Sequence, residues 1–218
     1  VTGLRAGLSL AEEIVLLSLD DETGRPIGRA GMAPDLALAG ALLMELALAR
    51  RIDTDRERLW VMDDAPTWDP VLDAALGELA SPGAPCDARA AIILLARDAA
   101  SVRATLVDRL IAAGLLHRLE RNVLWLFNTS RHPKPERCDP AAAARERIRS
   151  AVLAEEIPDP RDALLLGLAR AAGLVPLIFS DEALARCQRW LGVVTRIESL
   201  NRSLGSAVAA AHARRSPR

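Results

Sequence analysis

The stretch PDLALAGALLMELALARR, Pro34 to Arg51, decides the fold. Leu36, Ala39, Leu43 and Leu46 recur at helical spacing, with Leu38 and Leu42 on the flank of the same helix. Asp35 is placed to cap it, and Arg50 and Arg51 close it where positive charge suits the dipole. A helix apolar nearly all round has no face to give to water, so it is expected to run through the centre of the fold. The unbroken apolar run from Leu36 to Met44 stops at Glu45, short of the roughly 20 residues a bilayer span needs.

Composition extends this reading outward. Half of the 218 residues are apolar but only 3% are aromatic, so Leu, Ala, Val and Ile must fill the interior. Leu and Ala favour helix. The expected architecture is mainly α: one helical domain over residues 8–214, with a central buried helix bundle, small β-hairpins, and flexible termini at 1–7 and 215–218. A net charge of −1 is unlike a strongly basic nucleic-acid binder. Lys134 is the one lysine among 28 basic residues, which marks GC-rich coding or selection for forked phosphate-binding donors. Cys86, Cys138 and Cys187 form no C-x-x-C, so zinc and thioredoxin-like readings fail, and scattered thiols suit a reducing cytoplasm. Glu12 and Glu13 interrupt the first apolar run, which excludes a secretory signal there.

Either side of the central helix, end signals place further elements. Ser9 and Glu12 form a capping box ahead of a helix, or a helix then a strand, reaching Leu19. RIDTDRERLWVMDD reads as two short strands around a polar turn. Helices are expected from Asp69–Pro70, over Asp87–Ala96, and over Ser101–Ala113 with Gly114 as stop. A β-hairpin follows in LLHRLERNVLWLF, then helices over Ala141–Glu156, from Asp159–Pro160, from Ser180 towards Leu200, and near Leu204–Ala213.

Candidate chemistry is sparse. No phosphate-cradling glycine motif and no nucleophile elbow occurs. His117, His132 and His212 lack the spacing of a helical metal site, and nothing orients a Cys138–His132 pair. Asp53, Asp55 and Glu57 begin like a calcium loop, but Arg58 stands where glycine is needed. Asp63, Asp64, Asp69 and Asp73 read as turn and N-cap residues ahead of a metal cluster. Trp68, between Pro66 and Pro70, is either packed in its loop or exposed, and Trp125 and Trp190 are expected in the core. Ser101 to Phe127 has the order of half a winged helix, with Arg103, Arg109, Arg118 and Arg121 as phosphate contacts; a packed helix and hairpin explains it better. No catalytic residue, metal or cofactor is expected.

Several segments together, in order, resemble the Golgi phosphoprotein 3 family, called Vps-seventy-four in yeast. They are LSLAEEIVLLSLDDETG, LAGALLMELALARRI, DDAPTWDPVLDAAL, VRATLVDRLIAAGLL, TSRHP and PDPRDALLLGLA, spanning about residues 8 to 200. DDAPTWDPVLDAAL is similar to the family's D-A-P-T-G-D-x-L-L-D-E-A-L, with Trp68 where glycine is usual. The resemblance implies a mainly helical domain that acts as a non-enzymatic peripheral membrane adaptor. Its eukaryotic members bind phosphatidylinositol 4-phosphate and the cytoplasmic tails of glycosyltransferases. Carried over position by position, the lipid pocket's tryptophan falls at about Ala30, one arginine at Ala39, and the other two at Ala100 and Arg103.

Only Arg103 is retained, with Arg97 and Arg29 as neighbouring substitutes. Each charge-assisted donor is worth about 1.5–3 kcal/mol, so this departure predicts weaker and less selective headgroup binding. The expected member is prokaryotic-type and cytoplasmic, peripheral on the inner face of a membrane. Its expected partner is an anionic phospholipid or another phosphate-bearing ligand. Nucleic acid, or a protein partner alone, is the alternative.

Overall fold

The computed structural model describes residues 7–19, 33–55, 58–84, 87–116, 140–153 and 159–179. Within them the chain is mostly helical. The elements are α1 (Leu10–Leu17), α2 (Ala33–Leu48), β1 (Ile52–Thr54), β2 (Leu59–Val61), α3 (Pro70–Ala80), α4 (Ala88–Leu95), α5 (Ala99–Ala112), α6 (Pro140–Leu153), α7 (Pro160–Ala171) and α8 (Val175–Ile178). A single 3-10 turn, Ala96–Asp98, joins α4 to α5.

Helix α2 is the axis. Residues 37–43 are buried without a break, and α1, α3, α4, α5 and α7 pack around it. Its second half turns amphipathic: Leu46 is buried while Leu48 is 52% exposed. A Cβ added at Gly40 would sit 3.1 Å from Leu168 Cδ2, so the small residue lets α2 and α7 approach closely. The buried core is built almost wholly from Leu, Ala, Val and Ile, with Phe179 the one large aromatic among the described residues.

The N-termini follow from short polar side chains. Ser9 Oγ accepts from the Glu12 amide at 3.1 Å, and the Ser9 amide donates to Glu12 Oε2 at 2.8 Å. Asp69, Asp87 and Asp159 each accept from a first-turn amide, and Pro70 and Pro160 occupy first helical positions. Asp35 differs from expectation: α2 begins at Ala33, so Asp35 lies in the first turn. Its carboxylate goes to a guanidinium on α5 rather than capping α2.

At the C-termini, α5 and α7 close in Schellman turns. Gly114 (φ +72°) donates to Ile111 and Leu115 to Leu110; Gly173 (φ +74°) donates to Arg170 and Leu174 to Ala169. Helix α2 closes the same way with Arg50 in the left-handed region at φ +55°.

Strands β1 and β2 pair antiparallel with Ile52 opposite Val61 and Thr54 opposite Leu59. Ile52 and Leu59 are buried, while Asp53 and Trp60 face outward. The hairpin expected in LLHRLERNVLWLF falls, from His117 on, outside the described residues, as do the helices expected from Ser180 onward.

Candidate functional site

Arg103, the candidate singled out by resemblance to the family's lipid pocket, stands one turn into α5, half-buried. Its Nη2 donates to Asp35 Oδ1 at 2.6 Å. Both side chains keep contact with water, at 34% and 38% exposure. The pair therefore joins the start of α2 to the start of α5. The first turn of α2 carries the positive end of a helix dipole, so an anion is favoured beside Arg103, and the Asp35 carboxylate fills that role.

The other positions differ. Arg97 is exposed in the 3-10 turn and makes no ion pair among the described residues. Arg29 and Ala30 lie outside the described residues. Ala39 is 1% exposed inside α2, where a guanidinium would have no water and no room. Ala100 faces solvent. The structure places Arg103 in α5 and Arg97 six residues earlier in the 3-10 turn, with no contact between them, and α2 offers no arginine.

Arg109, named with Arg103 as a phosphate contact in the winged-helix reading, is committed elsewhere. Its Nη2 and Nη1 grip Asp69 Oδ1 at 2.8 Å and Oδ2 at 3.2 Å. Asp69 is 5% exposed and also caps α3 through the Val71 amide at 2.9 Å. Arg118 and Arg121 lie outside the described residues, as do all three histidines and all three cysteines.

The four aspartates of DDAPTWDPVLDAAL are mostly occupied by the chain itself. Asp63 pairs with Arg51. Asp69 pairs with Arg109. Asp73 Oδ1 accepts both the amide and the hydroxyl of Thr67 at 2.6 Å. Among the described residues, no three of His, Cys, Asp and Glu are grouped to hold a metal. Between Thr67 and Asp69, Trp68 takes φ +66° with its indole 91% exposed, the left-handed position that explains glycine in the related motif.

A second charged cluster was not legible in the sequence. Glu13, 5% exposed, accepts from Arg147 Nη2 at 2.7 Å and Arg161 Nη2 at 3.2 Å. Arg161 also reaches Glu45 Oε1 at 3.3 Å, and Arg147 reaches Asp162 Oδ1 at 3.2 Å. Glu45 Oε1 accepts the Leu10 amide at the start of α1 as well. Burial lowers the Arg147 pKa, but hydrogen bonds and attraction from Asp162 and Glu13 outweigh it and leave the guanidinium raised above its ordinary value. The only sequence signal was a carboxylate inside each of two apolar runs, Glu13 beside Glu12 and Glu45 alone. These groups neutralise one another across α1, α2, α6 and α7, so the cluster clamps helices together.

Among the described residues, no helix is long and apolar enough to cross a membrane. The chain has no match among curated proteins. A family model for Golgi phosphoprotein 3 (GPP34) matches residues 10–215, nearly the whole chain. On that match, and with the central helix, capped DAPT-type loop and α5 start described above, the chain belongs to the Golgi phosphoprotein 3 family.

Proposed function

We infer that this chain is a non-catalytic, adaptor-type domain that engages an anionic, phosphate-bearing surface through Arg103. The observation that carries the reading is the Arg103–Asp35 pair. A pair this exposed is worth about 0–1 kcal/mol. A charge-assisted bond from Arg103 to a phosphate oxygen is worth about 1.5–3 kcal/mol. An incoming phosphate therefore competes with Asp35 on favourable terms, and it meets the N-terminal end of α2 as well.

With Ala39 buried and Ala100 without charge, one guanidinium from α5 supplies the contact. Such a site recognises negative charge more than headgroup shape. It suits a peripheral role on an anionic membrane, with the phosphatidylinositol 4-phosphate selectivity of the eukaryotic members lost.

Co-sedimentation with vesicles tests this. Anionic phosphatidylglycerol vesicles should pellet more protein than neutral phosphatidylcholine vesicles, with the excess shrinking as salt rises. Arg103→Ala should remove most of the excess. Equal pelleting by both vesicle types would refute the reading. Duplex DNA binding of equal strength, insensitive to Arg103→Ala, would favour the nucleic-acid alternative.

A further inference from the structure

Between α3 and the run from α4 through the 3-10 turn into α5 lies a trough of about 380 Å³. One wall is a stripe of α3 at helical spacing, Pro70, Ala74 and Glu78. It extends about 12 Å at the rise of a helix. The other wall, Leu94, Asp98, Ser101 and Thr105, is a stripe of the same kind. Leu42 of α2, Val71, Ala75 and Leu95, each at most 8% exposed, form the floor. The small side chains of Ala74 and Ala75 leave the space open.

The rim is negative and unpaired. Glu78 and Asp98 are exposed and make no ion pair among the described residues. Asp98 stands at the N-cap of α5, yet its carboxylate makes no capping hydrogen bond. No arginine lines the trough among the described residues. Thr105 Oγ1 donates its proton to the Ser101 carbonyl at 3.1 Å, so its lone pairs are left to accept.

A ligand that fits carries positive charge on an aliphatic body. A phosphate-bearing lipid is repelled by the rim. A wholly apolar ligand would desolvate both carboxylates without pairing them. Among the described residues, no three carboxylates are grouped for a metal. We propose that the trough binds an aliphatic polyamine, with its methylene chain on the apolar floor and its ammonium groups on Glu78 and Asp98. The Thr105 hydroxyl is a further acceptor. The space falls within the roughly 300–1,000 Å³ of small-ligand pockets. Neither Arg103 nor Asp35 lines it, so it stands or falls apart from the anion-binding reading.

Isothermal titration calorimetry of the full chain with spermidine at low salt tests the proposal. One equivalent should bind saturably, and magnesium at equal charge concentration should not displace it. Glu78→Gln and Asp98→Asn should each weaken binding about threefold, and the double variant about tenfold. Ala74→Leu fills the trough from an exposed position and should abolish binding while thermal melting shows an intact fold. Absence of saturable binding would overturn the proposal. So would displacement by magnesium, or binding indifferent to Ala74→Leu, since either marks plain charge screening at the surface. A blocked KLLK tetrapeptide that binds where spermidine does not, and is lost with Ala74→Leu, would put a protein partner in the trough and overturn it too.

Discussion

At Trp68 the backbone is left-handed and the side chain is in water, so a change to glycine removes strain and no buried area. Left-handed strain of about 1–2 kcal/mol is partly offset by the extra freedom glycine gives the unfolded chain. Trp68→Gly should raise stability by about 0.5–1 kcal/mol in urea unfolding. Asp69 is the opposite case. It caps α3 and is gripped by both arms of Arg109, so Asp69→Ala costs a cap and leaves a half-buried guanidinium unmatched. A loss of about 2–4 kcal/mol is expected, with Asp69→Asn milder because the cap survives. The capping role of Asp69 was legible, because Asp-Pro at a helix start is a local signal. Its partner was not, since nothing in the sequence says that the Arg109 side chain comes back across 40 residues.

Helices were legible wherever their ends carry local chemistry. Ser9 with Glu12, Asp87, Asp159 with Pro160, and Gly114 all act where their residue types predict. The end of α2 was harder to place, because an arginine takes the left-handed position that glycine usually fills. Gly114→Ala should therefore destabilise by about 1 kcal/mol and Arg50→Gly should not, a contrast that thermal melts of the two variants would show. The clamp among α1, α2, α6 and α7 was also hidden, because its charges pair across more than 100 residues of sequence. Glu13→Gln leaves Arg147 and Arg161 without their shared carboxylate and should cost about 1–3 kcal/mol. Arg147 is raised in the fold, so its stabilising effect is fully present below its ordinary pKa and fades only as pH rises through the elevated value. Stability attributable to Arg147 should thus be flat from neutrality to mild alkali, which urea titrations of wild type and Arg147→Met across that range would check.

Across the molecule, the central helix and the ordered motifs made the fold and the family readable from sequence. The candidate site was readable only in part. Matching positions singled out Arg103, while Asp35, its partner 68 residues away, emerged only when α2 and α5 were packed together. The central claim is that Asp35 holds the place of a phosphate beside Arg103. The most direct measurement is the affinity of wild type, Asp35→Asn and Arg103→Ala for anionic phosphatidylglycerol vesicles at one fixed salt concentration. Asp35→Asn removes the competing carboxylate charge and should bind several-fold more tightly than wild type, consistent with an exposed pair worth up to about 1 kcal/mol. Arg103→Ala should bind more weakly, and the double variant should match Arg103→Ala. If Asp35→Asn binds no better than wild type, or gains affinity equally when Arg103 is absent, Asp35 is not holding a phosphate's place and the account is wrong.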